Sequence, residues 1–249
     1  MYIDTHCHLS KEDYENLDQI VKNVGDNLII VSGVDDRTNK EVLELIDKYD
    51  NVYGTIGIHP EEVENNNSIE FIEKNIQHNK IVGIGEIGLD YHYGNFNKEL
   101  QKEYFIKQIK LANKYNKTIV VHSRDAIEDT YNIIKKEKGD INIIIHAYSS
   151  SVEMAKKFIA LNAKLGIGGV VTFKNGVKLK EVVKNVDLEN IVLETDSPYL
   201  TPEPFRGQKN EPKNVIYVAK EIARLKNISE EKVVEITTKN ALSQFDIVL

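Results

Sequence analysis

Six residues of metal-ligand type stand at or near the ends of apolar runs in this 249-residue chain: His6, His8, Glu86, His122, His146 and Asp196. His6 and His8 are two apart, and the period of two in a strand turns both imidazoles to the same side. Two imidazoles on one side suit a divalent cation. Six ligands exceed what one tetrahedral ion takes, so they suit two ions sharing a carboxylate. Glu86 falls between the histidine pairs in chain order and is the candidate bridge. Mixed nitrogen and oxygen ligands admit Mg, Mn, Zn or Co. Two such ions make a metal-activated water at neutral pH and neutralise the oxygens of a displacement at phosphorus. Glu86 and Asp196 are then the catalytic candidates, with Asp196 placed to accept the water's proton as well as to ligate.

Candidate phosphate contacts lie nearby. Arg124 follows His122 by two residues and can donate a bidentate pair to a phosphate. Arg206 and Lys209 are cations on a late loop; Ser123 offers a hydroxyl, and His59 precedes Pro60 at another run's end. Each has a plainer reading: a helix-start or surface arginine, an N-cap serine, a rim histidine. His92 is a further candidate near the site, whereas His78 reads as a solvated surface residue. Cys7, between two inward histidines, reads as a small buried hydrophobe. The chain has no Trp, so any stacking of bases falls to Tyr or Phe. Tyr91, Tyr148 and Phe205 are placed for it, with ordinary packing as the alternative. The glycines at 166, 168 and 169 lack a following Lys and form no P-loop; they ease a close approach of the seventh run to the site.

The elements that position these residues alternate. Apolar runs at 2–6, 28–33, 52–58, 81–86, 118–122, 141–146, 163–168 and 191–194 read as strands buried on both faces. Helical patterns follow at 36–49, 97–115, 125–136 and 151–161, the last two opening on the N-cap candidates Asp125 and Ser151. Strands alternating with helices make a parallel sheet, and eight is the number that closes a barrel. The fold predicted is α/β, a distorted (β/α)8 TIM-type barrel in a single domain over residues 1–249, with a doubly wound open sheet as the rival. In such a barrel all strand C-termini lie at one end, where active sites are built. Residues 197–212 hold four of the five prolines and read as an ordered loop.

Composition sets outer bounds. The formal net charge is -7, against a bulk electrostatic footprint for nucleic acid, though clustered cations or bound metal can still grip phosphates. A single cysteine forms no intrachain disulfide and fits a reducing compartment. No secretory signal and no apolar stretch of roughly 18 residues is visible, so the reading is a cytoplasmic monomer with no membrane span.

Several motifs together resemble one family. His6-Cys7-His8, Gly57-Ile58-His59-Pro60, the stretch from Gly85 to Tyr91, His122-Ser123-Arg124-Asp125-Ala126 and the stretch from Glu194 to Leu200 are similar to the signatures of the TatD family. Arg206-Gly207 with Asn210-Glu211-Pro212 resembles its late loop. The resemblance implies a barrel of the amidohydrolase type and metal-dependent hydrolysis of DNA, single-stranded or at ends, with RNA as a further substrate. It implies exonucleolytic action, read here as 3′-to-5′, and metal ligation by the six residues already named. The chain departs from the pattern at Ala147-Tyr148, Glu61 and Gln208-Lys209. The last change removes a positive charge and bears on substrate affinity rather than on the metal site. The competing readings are a small-molecule amidohydrolase or phosphoesterase on the same site, and a binding protein that merely keeps a structural metal.

Overall fold

The Val- and Ile-rich runs form eight strands: β1 (Ile3–Cys7), β2 (Leu28–Ser32), β3 (Val52–Ile56), β4 (Ile81–Asp90), β5 (Thr118–Arg124), β6 (Ile143–Ile145), β7 (Ala163–Ile167) and β8 (Ile191–Leu193). The structure is a computed structural model and describes residues 1–92, 94 and 97–248. Each strand pairs in parallel with the next, in sequence order. Between and after them run α1 (Leu17–Val24), α2 (Asp36–Lys48), α3 (Ile69–Asn75), α4 (Lys98–Tyr115), α5 (Ile127–Glu137), α6 (Val152–Ile159), α7 (Val177–Asn185), α8 (Val215–Lys226) and α9 (Glu230–Gln244). This is the barrel that the alternation predicted, and it sets aside the open doubly wound sheet.

The barrel is nearly closed. Between β8 and β1 the seam is held by separate hydrogen bonds rather than by a strand ladder. Asp196 N donates to His6 O at 3.0 Å and His8 N to Ser197 O at 2.7 Å. Asp4 accepts from Thr195 N at 2.9 Å and from Thr195 Oγ1 at 2.6 Å. The seam thus runs through the ligand candidates of the first and last strands.

Two strands overrun their predicted ends. β4 continues past Glu86 to Asp90, and β5 past His122 to Arg124, with Gly88 paired to His122 and Asp90 to Arg124. Gly88 permits this: its φ is 143, and a Cβ there would lie 2.0 Å from His122 O. The overrun also corrects the predicted cap of α5. Asp125 does not cap it; the N-cap is Ala126, without a side-chain bond. Asp125 turns the chain at φ 53, and its carboxylate meets His92 Nδ1 at 2.9 Å. Residues that would have begun the helix extend the strand instead, and a short polar side chain tolerates the left-handed turn. The other predicted cap is present: Ser151 Oγ accepts from Met154 N at 3.2 Å.

Most of the core lies between barrel and helices. A second cluster fills the N-terminal end of the barrel, where Ile3, Ile30, Val82, Val120, Ile144 and Val192 pack against Ala241, Phe245 and Ile247. Thr118 Oγ1 and Asn142 Nδ2 both donate to Gln244 O there, fixing α9 to the strand starts. Among the described residues, no helix is long and apolar enough to cross a membrane.

Candidate metal centre

The strand C-termini bring His6, His8, Glu86, His122, His146 and Asp196 together around Glu86. Its Oε2 lies 3.4 Å from His6 Nε2 and 3.3 Å from His8 Nε2. Its Oε1 lies 2.8 Å from His122 Nδ1 and 3.2 Å from His146 Nε2. Asp196 Oδ1 completes the first set, 3.7 Å from His6 Nε2 and 3.6 Å from His8 Nε2. The two imidazole nitrogens of that set are 3.2 Å apart.

These spacings fit a metal ion. Ligand atoms about 2.0–2.2 Å from a tetrahedral ion sit about 3.4 Å from one another. The five separations in the first set run from 3.2 to 3.7 Å. The far nitrogens of His6, His8 and His122 are hydrogen-bonded, an arrangement that leaves the near ones available to a cation. His8 Nδ1 donates to Ser32 O at 3.0 Å, and His6 Nδ1 lies 3.0 Å from Ser32 Oγ. His122 Nε2 donates to Asp90 Oδ2 at 2.8 Å. His146 Nδ1 lies 3.3 Å from Glu194 Oε1, a charge contact without hydrogen-bond alignment.

His59 differs. Its Nε2 is 3.5 Å from Glu86 Oε1, and it groups geometrically with Glu86 and His122. Yet its Nδ1 accepts from Glu61 N at 3.2 Å. The neutral ring therefore carries its proton on Nε2 and turns a donor, not a lone pair, toward the site.

Burial sharpens the charges. Burial raises the Glu86 pKa, but the charge of His146 and the hydrogen bonds from His122 and His146 outweigh it and hold the carboxyl well below its ordinary range. Burial lowers His8, but Asp196 and Glu86 prevail and push it up to about 10. His6 is lowered by burial, with the charge of His146 adding to it. Asp196 is lowered: burial opposes, while His8, His146 and His6 favour the anion. Without cations, the rings whose pKa is raised, His8, His122 and His146, balance the carboxylates with protons, so metal binding displaces protons.

A cavity of about 580 Å³ opens over the cluster. The sequence model of the family described as TatD related DNase matches residues 3–246. The chain belongs to the TatD family. It is 41% identical to the Bacillus subtilis protein named uncharacterized metal-dependent hydrolase YabD, over 99% of this chain and 100% of that protein. It is 34% identical to the Escherichia coli K12 protein named uncharacterized metal-dependent hydrolase YcfH, over 98% and 96%. The crystal structure of YjjV, a TatD homologue from Escherichia coli K12, superposes with a TM-score of 0.92 at 27% identity, covering 99% of this chain and 98% of that one. This TatD-family chain is a metal-dependent hydrolase.

The phosphate candidates divide. His59 and Arg124 line the cavity. Ser123, Arg206 and Lys209 are not among its lining residues. Ser123 Oγ is 2.9 Å from Thr130 Oγ1. The Arg206 guanidinium lies 3.6 Å over the Phe173 ring, and Lys209 Nζ donates to Asp13 O. His92 is exposed and paired with Asp125, and His78 is paired with Asp47. Cys7 is buried as expected.

Sequence reasoning missed four contributors. Asp90 and Glu194 stand behind His122 and His146, and Ser32 stands behind His6 and His8. Arg37 reaches the cavity from α2, with Nη2 3.1 Å from Glu12 Oε2. One signal was available for Glu194. A Cβ on Gly166 would lie 2.1 Å from Glu194 Oε2, so the glycine in the seventh run marks a side chain packed against it.

Proposed function

We propose that this TatD-family hydrolase cleaves phosphodiester bonds in DNA, removing nucleotides from the 3′ end, with a cation in each of the two donor sets of Glu86. The supporting observation is the division of that carboxylate: one oxygen faces His6 and His8, the other His122 and His146. Two divalent ions, when bound, supply an acidified water and neutralise phosphate charge. Mg, Mn, Zn and Co all suit the donors. Asp196 has 14% of its side chain exposed and is placed to take the proton of the attacking water. His59 donates from Nε2 to a phosphate oxygen, and Arg124, which lines the cavity, is the guanidinium for the same phosphate. DNA as substrate follows the family's description as a DNase. Single-stranded ends and RNA are further substrates of the same chemistry, and we place the activity in a cytoplasmic monomer.

A second reading has its own support. Seven carboxylates line the cavity against two arginines, among them Glu12, Asp13, Glu61 and Glu62 away from the cluster. That rim repels a long polyanion and favours a small phosphoester or amide.

The test strips the protein with chelator and supplies end-labelled single- and double-stranded DNA and RNA. Each metal is returned alone, with Glu86→Ala as control. Stepwise shortening from the 3′ end that needs metal and vanishes in the variant supports the nuclease. Metal binding without cleavage of any strand moves the assignment to a small substrate.

A further inference from the structure

One large ring on the cavity wall remains exposed. Tyr199 lines the cavity, is 58% exposed, and has its ring centre 6.2 Å from that of His8. The aromatics that sequence suggested for stacking are engaged elsewhere. Tyr148 is buried, with its hydroxyl on Ser151 O at 2.6 Å. The Tyr91 hydroxyl donates to Asp129 Oδ2 at 2.8 Å, and the Phe205 ring meets Tyr217 edge-on at 5.2 Å.

Tyr199 is held by its backbone. Its N donates to Asp196 O at 2.8 Å, and Asn210 Nδ2 donates to its carbonyl at 2.7 Å. The residue is thus tied to the same turn as the ligand candidate Asp196, while no hydrogen bond ties its hydroxyl among the described residues. Asp13, Glu12 and Glu61 line the same cavity. Their charge makes a phosphate unwelcome at this wall. An uncharged planar ring bearing N–H donors suits both the exposed face and the carboxylates beside it.

We propose that Tyr199 is the stacking platform for the nucleobase of the nucleotide whose phosphate lies at the Glu86 cluster. This rests on the phosphodiester reading above. Base–aromatic stacking tolerates any base, so the platform selects nucleotides over other phosphodiesters without selecting sequence.

The test compares two diesters with the same leaving group: a thymidine p-nitrophenyl phosphate diester, which carries a base, and methyl p-nitrophenyl phosphate, which does not. The readout is the ratio of their kcat/KM values in metal-loaded wild type, Tyr199→Ala and Tyr199→Phe. The wild type prefers the base-bearing diester. Tyr199→Ala lowers that preference about tenfold, chiefly through KM, as loss of one stacked base predicts. Tyr199→Phe keeps it. A wild type that cleaves both without preference overturns the platform alone, as does a preference that survives Tyr199→Ala. A preference lost in Tyr199→Phe assigns the effect to the hydroxyl and also overturns it. A wild type that cleaves neither diester overturns the phosphodiester reading, and the platform falls with it.

Discussion

The two ends of this barrel are made by the same eight strands and hold opposite chemistry. At the N-terminal end, Ile30, Val82, Val120, Ile144 and Val192 meet Phe245 and Ile247 in an apolar plug. At the C-terminal end the strands present His6, Glu86, His146 and Asp196, with Asp4 and Glu194 buried behind them. Asp4 sits without a cation, and burial raises its pKa well above the carboxylate range despite hydrogen bonds from Thr195. Burying ionised groups costs several kcal/mol each unless they are paired. The apolar end supplies stability that lets the polar end keep its charges close. The expectation is that a loss at the apolar end lowers stability without changing the geometry of the polar end.

The largest expected effect tests that separation from the apolar side. Phe245 is buried in the plug. Phe245→Ala should lower unfolding free energy by about 3–5 kcal/mol, the usual cost of such a cavity. Urea unfolding measures the loss, and calorimetric metal titration of the folded variant should match wild type. A metal affinity that falls with stability would mean that the two ends are one cooperative structure.

The next effect sharpens the contrast inside the polar end. Asp90 touches His122 but neither His6 nor His8. Asp90→Asn keeps an acceptor for His122 Nε2 and removes the charge behind it. Loss of such a partner weakens metal binding by about 10–100-fold. Titration of wild type should show two binding events, and the variant should weaken one of them. Equal weakening of both would show that Glu86 couples the two donor sets too tightly to be called two.

The barrel and the six ligand candidates were legible for the same reason. A strand buried on both faces reads as an unbroken apolar run, and a histidine or carboxylate at the end of such a run has few explanations besides a site. Asp90 was not legible as a partner of His122 because the β4 overrun that places it depends on Gly88 packing against a neighbouring strand. Glu194 sits two residues from Asp196 at a strand end; the glycine at 166 hinted at a side chain packed close by, but not that it is Glu194 facing His146. Arg37 sits on a helix away from the strand ends, so neither period nor position pointed to it, and Tyr199, though inside the motif that holds Asp196, carried no sign that its ring faces the cavity. Asp125 misled because its type suits an N-cap and a left-handed turn equally.

The smallest effect separates two arginines that sequence treated alike. Arg124 lines the cavity, whereas the Arg206 guanidinium lies 3.6 Å from the centre of the Phe173 ring and outside the lining. Arg124→Ala should raise KM for a phosphodiester about fivefold, the worth of one charge-assisted contact at an exposed site. Arg206→Ala should leave KM alone and cost about 0.5–1 kcal/mol of stability through the lost ring contact. Steady-state kinetics and unfolding curves on both variants check this. The reverse pattern would show that the late loop, and not the β5 wall, meets the phosphate.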